Sequence, residues 1–246
     1  MSRTVRPGWV IPRPNEHPGF ASAPGGDGPD SKGTESVFDS RRWHSGDTET
    51  THERGMHMGL DMYLKAEKYL SDYSHNKNEN ERTAFKTVLS AVGLEGCRCE
   101  QSPSLTVMVT VAYWRKANAI HGWFVANVQD GKDECRASFV ERKQLEELVK
   151  QCKLVLESVE TVEGDIGEGT TYYPDGRVEN HTKRGKVVAQ KAVAEEILPT
   201  KGGFFFGSTN YDEYYLADLE DTVKQLTAIL ENEALNGCEF YYRASW

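Results

Sequence analysis

The chain has 246 residues, of which 38 are acidic and 29 are lysine or arginine, so its net charge at pH 7 is -9. This length suffices for one ordinary domain. The acidic balance excludes a general nucleic-acid binder and a binder of anionic membranes, because both need an excess of basic side chains. The sequence has neither the roughly 20 apolar residues of a membrane span nor an apolar signal region, so we expect a protein of the cytoplasm.

The first 57 residues differ in composition from the rest of the chain. Six of the nine prolines lie before Met58, and residues 21–33 offer almost no side chain for a core, which is typical of a disordered segment. The alternative is that translation begins at Met56 or Met58, since the codons just upstream can resemble a bacterial ribosome-binding site. We therefore predict a single domain over 58–246, preceded by a disordered tail or an over-extended gene start over 1–57.

Hydrophobic periodicity predicts the elements of the first half of this domain. Apolar residues alternate over 59–69 and, most clearly, over 105–111, and this period of two indicates strands. We expect the alternating valines of 105–111 to be buried beneath helices. The other predicted elements are helices over 82–92, 112–128 and 141–157 and a short strand over 135–140.

The second half begins with a polar insertion near 158–186. Its Asp175-Gly176 pair is typical of a tight hairpin turn. The elements predicted after it are a helix over 187–197, a buried strand over 202–207, a helix over 211–232 and a strand over 238–246. Together the elements predict an α+β fold in which a single mixed or antiparallel sheet of about four to five strands carries helices mainly on one face.

The cysteines give no sign of a metal site. There are five of them, an odd number without a regular framework, which favours reduced thiols. Cys97 and Cys99 form a CxC pair, but a zinc site needs about four ligands and no second pair exists. We expect no metal and no cofactor.

A glycine-rich turn over 202–209 has the GxxxxG spacing of a phosphate-binding loop. A true P-loop places lysine after the second glycine, whereas this chain has Ser208 there. The structural interpretation is that Ser208, Thr209 or Asn210 caps the helix that follows. The functional interpretation is an anion or small-ligand site at the turn, formed by Gly207, Ser208, Thr209 and Tyr211.

A second candidate site lies over 113–121, where the strand is predicted to end. Arg115 and Lys116 come at the start of the next helix, where cations are electrostatically unfavourable and so often have another purpose. His121 is the obvious acid–base group of the segment. The full ligand-binding candidate consists of Trp114, Arg115, Lys116, Asn118 and His121, facing the turn with Gly207, Ser208, Thr209 and Tyr211. The alternative is a satisfied, half-buried histidine beside surface cations.

Aromatic side chains are dense near the C-terminus, and two explanations are open. They are core and edge packing, or a surface for a protein partner. The early acidic part of the 211–232 helix is expected to be a solvated face. The aromatic residues concerned are Tyr211, Tyr214, Tyr215, Phe240, Tyr241, Tyr242 and Trp246.

Several segments together resemble a family of small proteins that recurs in bacteriophage, prophage and bacterial genomes. The resemblance covers nearly all of 58–246 except the insertion. It implies a phage-type accessory protein of the bacterial cytoplasm and assigns no catalytic residue. The segments that carry it are MGLDMYL from Met58, YWRKANAIHGWFV from Tyr113, QLEELVKQC from Gln144, LPTKGGFFFGSTNYDEYYLADL from Leu198 and FYYRASW from Phe240.

Two functions follow from the sequence. The first is a non-catalytic interaction or modulator protein that binds a host or phage protein. The alternative is a small-ligand or nucleotide/phosphate-binding enzyme that uses the 113–121 segment and the 202–212 turn. Convergence of Arg115, His121, Ser208 and Tyr211 in one pocket would favour the enzyme. The sequence assigns no oligomeric state.

Overall fold

A computed structural model describes residues 59–203 and 205–246 of the chain. The predictions for residues 1–57 lie outside this range. Between Asp61 and Ser245 the described residues form six strands and five α-helices. In chain order these are β1 (Asp61–Ser71), α1 (Glu79–Ala91), β2 (Ser104–Arg115), α2 (Asn118–Asn127), β3 (Ser138–Val140), α3 (Arg142–Ser158), β4 (Thr161–Tyr172), β5 (Val178–Val188), α4 (Ala192–Ile197), α5 (Glu213–Glu231) and β6 (Glu239–Ser245).

Four strands form an antiparallel sheet in the order β2-β1-β6-β3, and β4 and β5 form a separate two-stranded ribbon. The predicted α+β class is therefore confirmed. The sheet is built on β1, whose alternate residues Met62, Leu64 and Ala66 are buried. They join one hydrophobic core with the apolar faces of α3 and α5, represented by Leu148 and Leu226.

Among the described residues, the helices of this core do not cover the other side of the sheet. Because side chains alternate along a strand, the residues between the buried ones of β1 point away from the core. Tyr63 is half-buried there and Tyr69 is exposed. In the strand register Tyr63 is opposite Tyr113 of β2 and Arg243 of β6, so these side chains share this uncovered side. We call it the open face.

A β-bulge changes which residues of β2 face the core. The register with β1 shifts between Ala112 and Thr110, so Val111 is the extra residue. Ala112 and Trp114 are consequently buried on the core side, whereas Val109 is 53% exposed. The prediction that helices bury the valines of 105–111 is therefore wrong for Val109.

Two sequence predictions need correction at element boundaries. The predicted 112–128 helix begins only at Asn118, because β2 continues through Arg115 and Lys116 takes a left-handed φ of 59°. The two cations thus end a strand and precede the helix. The predicted helix over 187–197 is confined to Ala192–Ile197, since β5 extends to Val188.

The predicted strand over 202–207 is also wrong, because the described residues of this segment form a turn. Phe205 and Gly207 both have left-handed backbones, with φ of 62° and 92°, which no strand accommodates. The helix that follows is capped by Asp212 and not by Ser208, Thr209 or Asn210. Its carboxylate accepts hydrogen bonds from the backbone N–H groups of Tyr214 and Tyr215 at 3.0 and 3.4 Å.

The hairpin prediction is confirmed in the β4–β5 ribbon. The chain turns at Asp175 and Gly176, where Gly176 has the positive φ of 85° that the turn requires. The base of the ribbon is tied to the rest of the domain: the Val188 N–H donates to the Tyr211 carbonyl at 2.9 Å.

A buried hydrogen bond joins β2 to α5, and we expect it to contribute measurably to stability. The Trp114 indole N–H donates to the Thr222 hydroxyl at 3.0 Å. Thr222→Val keeps the shape of the side chain but leaves the indole without its acceptor, so the free energy of unfolding should fall by about 1–3 kcal/mol. Urea unfolding monitored by circular dichroism measures it.

The matched control is the same substitution on the same helix. The buried hydroxyl of Thr227 has no hydrogen-bond partner among the described residues, so Thr227→Val should be neutral or stabilising. Equal losses for the two variants would contradict the role of the Trp114–Thr222 bond.

Candidate functional site

His121 is the centre of a polar network inside the domain. It lies on α2 and has no exposed surface. Its Nδ1 is 2.8 Å from the hydroxyl of Tyr242 on β6, and its Nε2 is 2.9 Å from a carboxylate oxygen of Asp133, in the loop between α2 and β3. The arrangement is a tyrosine–histidine–aspartate chain of hydrogen bonds.

The carboxylate of Asp133 also binds side chains from two other segments of the chain. The Lys201 ammonium lies 3.0 Å from the same oxygen that faces His121. The Trp246 indole N–H donates to the other oxygen, also at 3.0 Å. Asp133 is thus a common acceptor for side chains from α2, from the segment before the glycine-rich turn and from the end of β6.

The directions of the pKa shifts favour one arrangement of the protons in this network. Burial lowers the pKa of His121, although the hydrogen bond to Asp133 acts in the opposite direction. Burial alone would raise the pKa of Asp133, but hydrogen bonds from Lys201 and His121 outweigh it and lower that pKa. Burial also holds the pKa of Tyr242 well above its usual value. A neutral His121 therefore donates from Nε2 to the ionised Asp133 and accepts the Tyr242 O–H at Nδ1.

An aromatic shell surrounds the imidazole. The Phe124 ring stacks on Tyr242 with centroids 3.9 Å apart, and the Phe206 ring meets His121 edge-on at 5.1 Å. Phe206 in turn touches Trp246, with centroids 5.9 Å apart. Such a shell removes His121 from solvent, so in this conformation the network can connect segments but cannot reach a dissolved substrate.

Asn118, one turn before His121, holds the glycine-rich segment by its backbone. Its amide nitrogen donates to the carbonyls of Phe206 and Ser208 at 3.2 and 2.7 Å, and its amide oxygen accepts the Lys201 N–H at 3.1 Å. Asn118 itself is buried. Asn118 therefore joins the start of α2 to the 202–209 turn.

Two glycines permit this close approach. A Cβ on Gly207 would lie 3.2 Å from the Lys116 Cβ, on a backbone with φ of 92°. A Cβ on Gly122, next to His121, would lie 3.3 Å from the Lys201 Cβ. Side chains at either position would push the turn away from α2, so these glycines bring Lys201 within reach of Asp133.

The remaining candidates of the turn make local hydrogen bonds. The Ser208 hydroxyl accepts the Asn210 N–H at 3.1 Å, and the Thr209 carbonyl accepts the Thr200 hydroxyl at 3.0 Å. The Tyr211 hydroxyl accepts the Thr200 N–H at 3.2 Å, and Tyr211 is buried. These contacts stabilise the turn and do not bring the three side chains to His121.

Trp114 and Arg115 point to opposite sides of the sheet. Trp114 enters the core toward Thr222, whereas Arg115 lies on the open face, 3.7 Å from a carboxylate oxygen of Asp61. The nine candidate residues therefore do not form one cluster. Asn118 and His121 lie at the network and the turn, Lys116 lies against Gly207, and Arg115 pairs with Asp61 on the open face.

Sequence reasoning missed two members of the network, Asp133 and Lys201. Both are charged residues in loops and are distant in the chain from Tyr242, so no local spacing connects them. The signal that could have pointed to Lys201 is Gly122, because a glycine inside a helix often marks a close approach of another segment.

Comparison of the chain with models of protein families, with curated proteins and with solved structures finds no match to any of them. Within the described residues no group of three or more His, Cys, Asp or Glu side chains is placed to hold a metal ion. No helix in the described part of the chain has both the length and the apolar character needed to cross a bilayer.

The acidic start of α5 is only partly the solvated face that was predicted. Glu220 and Asp221 are exposed, but Asp212 is buried and Asp218 is half-buried. Burial, together with the charges of Asp221 and Asp212, raises the pKa of Asp218 to about 7. A carboxyl with a raised pKa is less stable ionised in the fold than in the unfolded chain.

Asp218 should make the domain less stable as the pH rises. Between about pH 4 and 7 the native state binds more protons here than the unfolded state, so stability falls through this window. Asp218→Asn removes the desolvated charge and should raise the free energy of unfolding by about 1–2 kcal/mol at pH 8. Urea titrations should show the gain shrinking toward pH 4. Glu220→Gln, on the exposed side of the helix, should change little, and a pH-independent gain for Asp218→Asn would contradict the assignment.

Removing one hydroxyl should test the network. Tyr242→Phe leaves the buried Nδ1 of His121 without a donor, so the free energy of unfolding should fall by about 1–3 kcal/mol. Tyr241→Phe is the matched control, because the neighbouring hydroxyl contacts only the exposed Glu239 among the described side chains. Denaturant unfolding of both variants measures the difference, and equal stability would show that the Tyr242–His121 bond carries no net free energy.

Proposed function

We propose that the chain is a phage-type accessory protein of the bacterial cytoplasm that acts as a non-catalytic interaction or modulator protein on a host or phage protein. The resemblance of several segments to phage and prophage proteins supports the setting. The observation that carries the interaction role is the open face of the four-stranded sheet, which presents large aromatic and apolar side chains to solvent.

Exposure and spacing define this surface. Tyr69 is 56% exposed, Phe139 51% and Tyr113 42%. Tyr63 packs on Tyr113 with ring centroids 5.3 Å apart, and Tyr241 meets Phe139 at 5.8 Å. Aromatic side chains arranged in contact but accessible are enriched in the centres of protein interfaces.

The charges on the open face favour a protein partner over a polyanion. Three cations share this side with three acids in the strand register, and Arg115 already pairs with Asp61. Nucleic-acid and anionic-lipid surfaces select an excess of cations, whereas the open face has as many acids as cations and carries the aromatic side chains that are enriched at interfaces between proteins. The charged residues of this face are Lys65, Arg115 and Arg243 together with Asp61, Glu67 and Glu239.

The surface differs from the aromatic cluster that the C-terminal sequence suggested. Tyr211, Tyr215, Phe240 and Tyr242 are buried, so most of that cluster is core. Tyr241 remains on the open face because it alternates with its two buried neighbours along β6. The partner surface is therefore made by one face of several strands and not by one stretch of sequence.

The alternative, a small-ligand or phosphate-binding enzyme, draws support from the meeting of the α2 start with the glycine-rich turn. Against it, the amide of Asn118 and both ring nitrogens of His121 are already bonded to protein atoms. A ligand there would have to displace these bonds. The interaction role needs no rearrangement of the described residues and is the better supported function.

Capture on the immobilised protein tests this proposal. A bacterial lysate is passed over the wild type and over the Tyr69→Ser/Phe139→Ser variant, and bound proteins are identified by mass spectrometry. We expect a protein that the wild type retains and the variant loses. With that protein purified, calorimetry should show binding weakened at least about tenfold by the double substitution, because two interface anchors are removed.

The matched control is Val162→Ser/Val178→Ser, which changes two side chains on the ribbon that are as exposed as those of the open face. This variant should bind like the wild type. Equal capture by the open-face variant and the wild type, or no capture above bare resin, would refute the proposed role. Circular dichroism confirms that each variant is folded.

A further inference from the structure

β2 is an outermost strand of the sheet, and most of its outer edge is unoccupied by described residues. Its inner edge pairs with β1 along its whole length. On the outer edge, the Gln225 side chain hydrogen-bonds both the N–H and the carbonyl of Tyr113 at 3.0 and 3.1 Å. Among the described residues no comparable side-chain cap is found over 104–110. This segment therefore offers free backbone donors and acceptors to another strand.

The composition of this edge is unusual for an edge strand. From Gln101 to Trp114 the chain contains no charged residue and no histidine, although 27% of the whole chain is charged. Valine, threonine and methionine predominate, and these residues suit a pleated sheet. Native edge strands are usually protected by lysine, proline or a bulge. In β2 the bulge at Val111 and the Gln225 cap both lie beyond the 104–110 segment.

Apolar side chains are exposed on both sides of this edge. Met108 is 52% exposed on the open face, and Val109 is about equally exposed on the side of the helices. Leu105 and Val107 lie on the same side as Val109 and are half-buried. An added strand would cover all of these residues at once while pairing the backbone.

We propose that a second copy of this chain occupies the edge, with its own β2 running antiparallel over residues 104–110 about a two-fold axis at Val107. The two sheets then form one continuous sheet of eight strands. In this register Val109 lies opposite the partner's Leu105, and Met108 lies opposite the partner's Thr106. Each exposed apolar side chain thereby gains an uncharged neighbour on its own side of the sheet.

A second copy fits this edge because the strand is compatible with itself. A two-fold axis repeats every charge, and like charges on facing strands are destabilising. β2 contains no charge before Arg115, so this pairing brings no like charges together. The opposite edge of the sheet, β3, has only three residues and is followed directly by Glu141 and Arg142. β2 is therefore the edge suited to self-association.

Sedimentation equilibrium of the pure full-length protein tests the proposal. We expect a mass of twice 27.7 kDa at high concentration, dissociating over a roughly hundredfold dilution if Kd is micromolar. Hydrogen exchange read by mass spectrometry should show more amides of 104–110 protected in the concentrated sample than in the dilute one, because only the amides that point away from β1 depend on the second copy.

Charge substitutions test the register. Thr106→Lys/Met108→Lys places lysine opposite lysine in the dimer at positions that are exposed in one copy, so the variant should be monomeric and folded. Thr106→Glu/Met108→Glu should be monomeric as well, and an equimolar mixture of the two should restore the dimer. Misfolding of either variant cannot produce this rescue. Val162→Lys, an exposed strand position on the ribbon, should dimerise like the wild type.

Each other outcome overturns the proposal. A wild type that stays monomeric at every concentration would do so, and protection in that monomer of the 104–110 amides that point away from β1 would assign the edge to another part of the same chain. A dimer that survives the lysine pair, or charged variants that fail to restore it on mixing, would assign the contact elsewhere. A dimer that captures no protein would refute the proposed function alone, and a monomer that captures a protein through the open face would refute this inference alone.

Discussion

A histidine removed from water must find a hydrogen-bond partner for each ring nitrogen, and the way His121 does so organises this domain. Its partners are Asp133 in a loop and Tyr242 in the last strand of the sequence. Because Asp133 also accepts bonds from Lys201 and Trp246, one buried imidazole fixes four separate parts of the chain. The glycine-rich turn packs against α2 as part of this arrangement, with Phe206 placed against the imidazole.

The same constraint explains why the polar residues singled out in the sequence do not make an open pocket. The Asn118 amide already hydrogen-bonds two carbonyls of the turn and the backbone N–H of Lys201. The His121 ring is enclosed by aromatic side chains. The alternation of β2 sends Trp114 inward and Arg115 outward. The open face of the sheet, by contrast, presents aromatic rings to solvent beside the Asp61–Arg115 pair.

Much of the fold could be predicted because local and long-range preferences agree. In α3 the apolar spacing coincides with a capping box between Glu141 and Gln144, and in the ribbon the Asp175-Gly176 turn matches the flanking strands. Prediction failed where tertiary contacts decide. The bulge at Val111 has no sequence signal. The apolar run between glycines at 202–207 is typical of a buried strand, but the segment forms a turn. Asp133 and Lys201 could not be assigned to His121, since only the folded chain brings them together.

The strand order has a consequence for how the protein is made. β6 lies between β1 and β3 in the sheet but follows every other strand in the sequence. During synthesis, β1 and β3 cannot be joined until residues 239–245 have left the ribosome. Until then the nascent chain exposes the apolar side of β1 and lacks Tyr242, the hydroxyl partner of His121. Contacts between distant residues also slow folding, so we expect the sheet to close only after its last strand has been translated.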